Sequence, residues 1–505
     1  MEKLQDRVRS LAVEYLPEAV ATLREAVRIP VDGESSSGTS NHEGPRVDYL
    51  RQRLLDIGAV DTAEDLGVDE YGNLWWKVED REDGIPPGER LVVYLDGHCD
   101  TVAPLRSRWH EVLGGGIDAH LGLTDASRVD RQVLREELGY LPPEEEWSHL
   151  VWGRGTADQL AGVVCQMFAT RILRELEDLG SLRGVTLWSY ATVAEEDNDG
   201  GGPMFYMRQA IESRQPDRIP DVVILTEPTG SAEHGALGVY RGQRGRMQIE
   251  VEVVGKSSHG SMPGEGRNPL EHGAAIIAEA AAAHERGEGM ATDAFLGPGS
   301  RTASFATLRT PSDCAVPETF TFRLDRRLTA GEDPQQALDD IASLAAVGRA
   351  REAGLEVEVR APIYDQPTWK GFVLGNRQVY PGWSTPESHP SIRAALETYK
   401  QTITPMVEQG RLGSSATGDP RVGRWVFSTD GVGVPVSTEL LEDHGLDKPW
   451  IEFGNMRHPA IFGIGPGVEE NTHKIGECVD SREMAAVMAF LGFYPACLHR
   501  RRKGI

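Results

Sequence analysis

Leu91-Val92-Val93-Tyr94-Leu95-Asp96-Gly97-His98-Cys99-Asp100-Thr101 decides how this chain is read. Its first five residues are apolar without alternation, as a strand buried on both faces of a parallel sheet requires. Asp96-Gly97 ends the run and leaves His98 and Asp100 at its carboxyl end. Similar pieces recur downstream. Leu160, Val163, Val164, Met167, Phe168, Ile172 and Leu176 are spaced for one face of a helix over 160–178. Strands are expected at 185–192 and 221–226, so the order predicts a mostly parallel sheet covered by helices. Upstream, 3–28 has an approximate helical period broken near Pro17. A loop is expected at 32–45 and a further helix at 46–57.

Near residue 240 the pattern changes. Met247, Ile249, Val251 and Val253 alternate with polar residues, which marks an antiparallel strand with one wet face over 246–254. A helix at 269–286, strands at 302–308 and 319–325, a helix at 333–353 and a strand at 355–361 complete a β-α-β-β-α-β order. Beyond 380 the α/β character returns, with a helix at 390–400 and short strands at 425–428 and 460–464. The fold class expected is α/β with two domains, a ferredoxin-like α+β domain at 240–366 being inserted between the halves 1–239 and 367–505 of a larger one. Residues 113–148, between Gly114-Gly115-Gly116 and Pro142-Pro143-Glu144-Glu145-Glu146, form a long excursion expected on the surface as a lid or a decoration.

Composition narrows the function. The 505 residues exceed what one hydrophobic core serves and suit two large units or about three of ordinary size. With 52 Lys+Arg against 78 Asp+Glu, the net charge of −26 opposes binding to nucleic acid or to an anionic membrane. Five scattered cysteines make neither a disulfide framework nor a CxxC unit. No signal-like start and no apolar run of about 18 residues is present, so a cytoplasmic protein is expected.

The residues that carry chemistry stand where strands end. His98 lies two residues before Asp100, a spacing at which a carboxylate can orient a metal-binding imidazole. Asp158 follows Gly153-Arg154-Gly155-Thr156-Ala157, Glu195-Glu196 follows the strand at 185–192, and Glu227 stands in Thr226-Glu227-Pro228. His473 lies in a polar loop after Gly463-Ile464-Gly465-Pro466-Gly467, which lacks the Lys-Ser/Thr of a nucleotide loop. Taken singly, Asp158 reads as a helix cap, Glu227 as a loop acid and His473 as a surface histidine. In an open α/β sheet all five positions converge on the carboxyl edge. Two histidines and three carboxylates there suit a pair of divalent ions about 3.5–4 Å apart, zinc foremost and cobalt or manganese as substitutes.

These motifs, in this order along nearly the whole chain, resemble the M20 family of dinuclear zinc hydrolases: aminoacylases, glutamate carboxypeptidases, desuccinylases and deacetylases. Tyr240-Arg241-Gly242-Gln243-Arg244-Gly245-Arg246, Ser257-Ser258-His259-Gly260-Ser261, Asp325-Arg326-Arg327-Leu328-Thr329 and Phe427-Ser428-Thr429-Asp430-Gly431 are similar to a bacterial branch associated with selenium metabolism. The resemblance implies that His98 and Glu227 hold one ion and Glu196 and His473 the other, with Asp158 bridging. It implies further that Asp100 orients His98 and that Glu195 is the general base. The inserted domain would be a lid and dimer surface, and His259 would reach the partner's site to steady an oxyanion. Asn268, Arg327 and Thr429 are expected on the substrate side. Two departures stand out: the 113–148 excursion, and Gln159-Leu160-Ala161-Gly162 where relatives often place a lysine before the glycine.

The expected reaction is hydrolysis of an amide in a small molecule such as a dipeptide or an N-acyl amino acid. The rivals are a metal-dependent deaminase or cyclic-amide hydrolase and a non-catalytic metal-binding interaction protein. A nucleophilic hydrolase is set aside because no Gly-x-Ser-x-Gly elbow occurs.

Overall fold

The computed structural model describes residues 2–31, 41–120 and 122–503. Part of the loop expected at 32–45, residues 32–40, lies outside these. The strand Leu91–His98 is buried at every position and pairs in parallel with Val185–Thr192 on one side and Val222–Leu225 on the other. Ala460–Gly463 adds in parallel to Val222–Leu225. Around these parallel strands the described residues build a nine-stranded sheet, extended antiparallel by Leu74–Glu79 and Leu66–Val68 at one edge and by Val239–Gln243 and Trp383–Ser384 at the other. The mixed α/β class with a parallel centre is therefore as expected from the apolar runs.

Helices cover both faces. Glu2–Arg28, Ala161–Glu175, Pro390–Glu408 and Ser481–Lys503 bury one face through Val8, Leu11, Phe168, Ile172, Ile403, Phe490 and Tyr494. Gly201–Ser213 covers the other, where Tyr94, Tyr190, Tyr206, Trp383 and Trp425 pack together. The first helix runs through Pro17 without the break expected there, and Pro390–Glu408 likewise continues past residue 400 through Pro405. Packing against neighbouring helices outweighs the single hydrogen bond a proline removes. The strand expected at 425–428 lies earlier, at Val422–Trp425, which leaves Phe427 and Ser428 in a loop.

The second sheet orders Ser300–Arg309, Thr319–Leu328, Gly245–Val254 and Glu356–Arg360 as antiparallel neighbours. Alternation does what the sequence promises. Met247, Ile249, Val251 and Val253 face the helix Pro269–Glu285 and the pair Pro334–Ala342 and Ala345–Glu352, together with Ile276, Phe322, Ile341 and Val347. The helix expected over 333–353 is broken at Leu344, whose ψ of 140° is extended. On the opposite face Arg246 stands across from Arg327, Gln248 from Asp325 and Glu250 from Arg323.

The excursion is a folded unit. Helices Arg106–Leu113 and Arg131–Leu138 and a short hairpin, Ile117–Asp118 with Gly122–Leu123, enclose Trp109, Leu113, Ile117, Val129, Leu134, Trp147 and Trp152. The same cluster takes in Ile475 and Cys478 from the far end of the chain. No described helix is long and apolar enough to cross a membrane.

Ile249 is fully buried at the centre of the second core. Ile249→Ala is expected to cost about 2–5 kcal/mol. Urea unfolding followed by circular dichroism should show an earlier transition, and an unchanged midpoint would contradict this packing.

Candidate metal centre

The carboxyl ends of the parallel strands bring one acidic cluster together. His98 closes its strand with its side chain fully buried. Behind it, the carbonyl oxygen and Oδ1 of Asp100 each lie 3.3 Å from Nδ1. In front, Nε2 is 2.9 Å from Oδ1 of Asp158, 3.7 Å from Oε1 of Glu227 and 3.8 Å from Oε2 of Glu195. The other oxygen of Asp158, Oδ2, lies 3.1 Å from Nε2 of His473, which is also 2.9 Å from Oε2 of Glu196. Two sets able to hold an ion result, His98–Asp158–Glu227 and Asp158–Glu196–His473, the donor atoms of each lying within 4.8 Å of one another. Asp158 is common to both.

Local backbone explains why these side chains meet. Gly155 sits at φ 82°, and a Cβ there would fall 2.3 Å from Cγ2 of Thr101. Only glycine allows the turn that swings Asp158 into the cleft. Ala194, Asp199 and His473 take positive φ of 57°, 42° and 62° although none is glycine. Such conformations persist only where the surroundings impose them. For Ala194 the restraint is visible: its N–H donates to Oε1 of the buried Glu43 at 2.9 Å, directly before Glu195. The N–H of Glu196 is held by Oδ2 of Asp100 at 3.0 Å.

The electrostatics are those of a site built around positive charge. Burial pushes the Glu195, Glu196 and Glu227 carboxyls above the ordinary range, and neighbouring acids push them further. Burial also acts on Asp158, but hydrogen bonds to His473 and His98 overcome it and hold that carboxyl far below the usual value. Burial opposes a charge on His473, yet bonds to Asp158 and Glu196 raise the imidazole to about 11. His98 is likewise raised well above the usual value, against its burial, by Glu195, Asp100 and Asp158. The acids thus recruit protons to both histidines. Oε2 of Glu227 is buried without a hydrogen-bond partner among the described residues. Carboxylates crowded in this way, with imidazole nitrogens turned toward them, fit one or two divalent cations of borderline hardness.

The cleft above is small, about 320 Å³, and the inserted domain supplies part of its wall. Arg246 and Arg327 line it with Asp199, Phe427, Ser428 and Thr472. Asp325 holds both guanidinium groups, at 3.3 Å from Arg246 Nε and 2.7 Å from Arg327 Nε. Asp199 takes Nη1 of Arg246 at 2.6 Å, and Ser428 lies 3.3 Å from Nη1 of Arg327.

The other sequence-predicted residues stand elsewhere. Asn268 caps the helix Pro269–Glu285, its Oδ1 accepting from Leu270 and Glu271. Thr429 is fully buried and donates to Gln243 at 2.5 Å. His259 is exposed and lines no part of the described cleft. Its Nδ1 is engaged by the N–H and the hydroxyl of Ser261 at 3.1 and 2.8 Å. Sequence reading passed over Glu43, Arg246 and Glu477. Arg246 lay in a quoted motif; Glu43 and Glu477 had no local signal, since their partners are more than a hundred residues away.

Known proteins resemble this chain in sequence and in fold. Residues 241–350 match the M20 peptidase dimerisation domain. The uncharacterised protein YgeY of Escherichia coli (strain K12) is 33% identical over 466 residues, 92% of this chain and 91% of its own. Succinyl-diaminopimelate desuccinylase of Legionella pneumophila (strain Paris) is 28% identical over 135 residues, 27% of this chain and 34% of its own. Among solved structures, the M20 family metallo-carboxypeptidase Sso-CP2 of Sulfolobus solfataricus superposes with a TM-score of 0.60 at 14% identity, covering 95% of this chain and 99% of its own.

Proposed function

The chain belongs to the M20 family of metallopeptidases and is a hydrolase, and we propose that it cleaves an amide bond of a small molecule such as a dipeptide or an N-acyl amino acid. The observation that carries this reading is the division of labour at Asp158. Each of its oxygens faces a different histidine, each histidine has a further carboxylate, and Glu195 is left over beside them. His98, Asp158 and Glu227 would hold one Zn²⁺ and Asp158, Glu196 and His473 a second, with Co²⁺ or Mn²⁺ able to take the same nitrogen and oxygen donors. Bound there, the ions would supply a water acidified to near neutrality and polarise the substrate carbonyl.

The remaining work falls to the chain. Glu195, its carboxyl raised by burial, accepts the proton of the attacking water and returns it to the leaving nitrogen. Asp100 fixes the tautomer and tilt of His98. Arg246 and Arg327 face the acids across the cleft, where a substrate carboxylate would meet two guanidinium groups already oriented by Asp325. The cleft volume suits a small molecule. His259 would act on the site of a second copy, steadying the developing oxyanion. Ser300–Arg309 supports such pairing: it is an outer strand with Phe305 51% and Leu308 40% exposed.

The test is a hydrolysis screen of dipeptides, N-acyl and carbamoyl amino acids by the zinc-, cobalt- or manganese-loaded protein against a chelated control. Turnover that needs both metal and a substrate carboxylate is expected. Silence with metal bound would favour a deaminase or cyclic-amide hydrolase.

Glu195→Gln should keep its metal and lose about 10²–10⁴-fold in kcat; unchanged turnover would remove Glu195 from the role of base. Mixing inactive Glu195→Gln and His259→Ala chains should restore roughly a quarter of wild-type activity, because one site of each mixed dimer then has both groups. No recovery after proven subunit exchange would sink the contribution in trans. Metal binding must displace the protons that the raised histidines and glutamates carry. Zinc affinity should therefore fall on acidification, about tenfold per pH unit for each proton displaced, and zinc added to weakly buffered apoprotein should acidify it. Affinity independent of pH would contradict this ligand set.

A further inference from the structure

One buried ion pair near the cleft touches neither substrate space nor the proposed ligand atoms, yet it joins the two turns that carry them. Arg154 is 3% exposed and Glu477 fully buried, with Nη1 and Oε2 2.8 Å apart. Oε1 of Glu477 accepts from the N–H groups of Ala157 and Asp158 at 3.0 and 3.2 Å. Nη2 of Arg154 donates to the carbonyl oxygen of His473 at 3.1 Å. The N–H of Gly153 donates to the carbonyl of Glu477 at 3.0 Å, which closes the loop between the turns. A buried ion pair is a poor way to gain stability, since apolar residues of like volume usually do as well. What this pair adds is position: each partner also hydrogen-bonds the backbone of a proposed ligand, Arg154 that of His473 and Glu477 that of Asp158.

The two histidines differ in how much they need such help. His98 is fully buried at the end of a core strand with Asp100 behind it. The His473 side chain is 51% exposed, on a backbone held at φ 62°. Its turn is gripped instead by the folded excursion. Lys474 donates from Nζ to the carbonyl of Leu138 at 2.6 Å, while Ile475 and Cys478 are buried among Leu134, Leu138 and Trp147. The Trp109 ring lies under the Arg154 guanidinium, 5.8 Å from ring centre to Cζ. The N–H of Arg154 donates to the carbonyl of Ala119 in the excursion's hairpin at 3.0 Å.

We propose that Arg154 and Glu477 are positioning residues that tie the Asp158 turn to the His473 turn, and that the 106–152 unit is the clasp that holds this strut against the chain. Resting as it does on the metal-centre reading above, the proposal makes the two ion positions interdependent. Disturbing Glu477 moves the shared carboxylate and so weakens both ions, whereas removing the His473 side chain costs only one.

The experiment is zinc and cobalt titration of metal-free wild-type protein, Glu477→Gln, Arg154→Lys, Lys474→Ala and His473→Ala. A chelating-dye competition reads affinity, the cobalt absorption spectrum reads ligand geometry, and thermal unfolding of the metal-free proteins reads stability alone. Glu477→Gln and Arg154→Lys are expected to lose about 10–100-fold in affinity for both ions, with an altered cobalt spectrum. Arg154→Lys keeps the charge but cannot span Glu477 and His473 together. Lys474→Ala, a partly exposed change that leaves the pair intact, should weaken one ion only, as His473→Ala does. A folded Glu477→Gln or Arg154→Lys protein that binds both ions with wild-type affinity, whatever its thermal midpoint, overturns the proposal and leaves the metal reading standing. Should both variants fail to fold, Lys474→Ala decides: unchanged affinity for both ions overturns the clasp. Wild-type protein that binds no metal removes the metal reading itself, and the strut with it.

Discussion

Crowding of carboxylates around Asp158 is the constraint on which the rest depends. Five acids, Asp100, Asp158, Glu195, Glu196 and Glu227, are buried or nearly so around two imidazoles. Burial alone favours protonated carboxyls, and like charges a few ångströms apart reinforce that. Asp158 escapes because each of its oxygens faces a histidine; Glu195, Glu196 and Glu227 do not. Such a cluster is stable in water only with protons or cations shared among its members. The sheet, the strained turns at Ala194 and His473 and the Arg154–Glu477 pair all serve to hold that arrangement against its own repulsion.

The inserted domain answers the negative cluster with positive charge of its own. Its sheet uses one face for a core and the other for a ladder of cross-strand polar pairs, of which Arg246 and Arg327 reach the cleft. Asp325 and Asp199 keep these guanidinium groups from being drawn directly onto the acids. Walls of opposite charge thus face each other across the cleft, and the chain's net charge of −26 says nothing about so local a balance.

Much of this was legible from spacing. The unbroken apolar strand at 91–95 implied a buried parallel centre, and the alternation at 247–253 implied a half-wet sheet. Both follow from side-chain periodicity, which short segments carry in full. The helix Ser481–Lys503 escaped notice because it is buried all round from Glu483 to Leu498 and so has no polar stripe. Pro17 implies a break because the local cost of a proline is written in the sequence, whereas the compensating contacts with the end of the chain are not. The excursion's length between two core strands implies a surface segment; its core is completed by Ile475 and Cys478, more than three hundred residues away.

By itself the sequence determined the fold class, the kinds of side chain available for a metal and their places at strand ends, because backbone periodicity and turn chemistry are local. Only the tertiary structure decided which oxygen of Asp158 faces which histidine, and that Glu43 restrains the backbone before Glu195. It also decided that Oδ1 of Asn268 caps a helix, that Thr429 makes a buried hydrogen bond, and that Glu477 stands behind the Asp158 turn. Those relations are distances between groups remote along the chain, set by the packing of the whole sheet, and no local pattern records them.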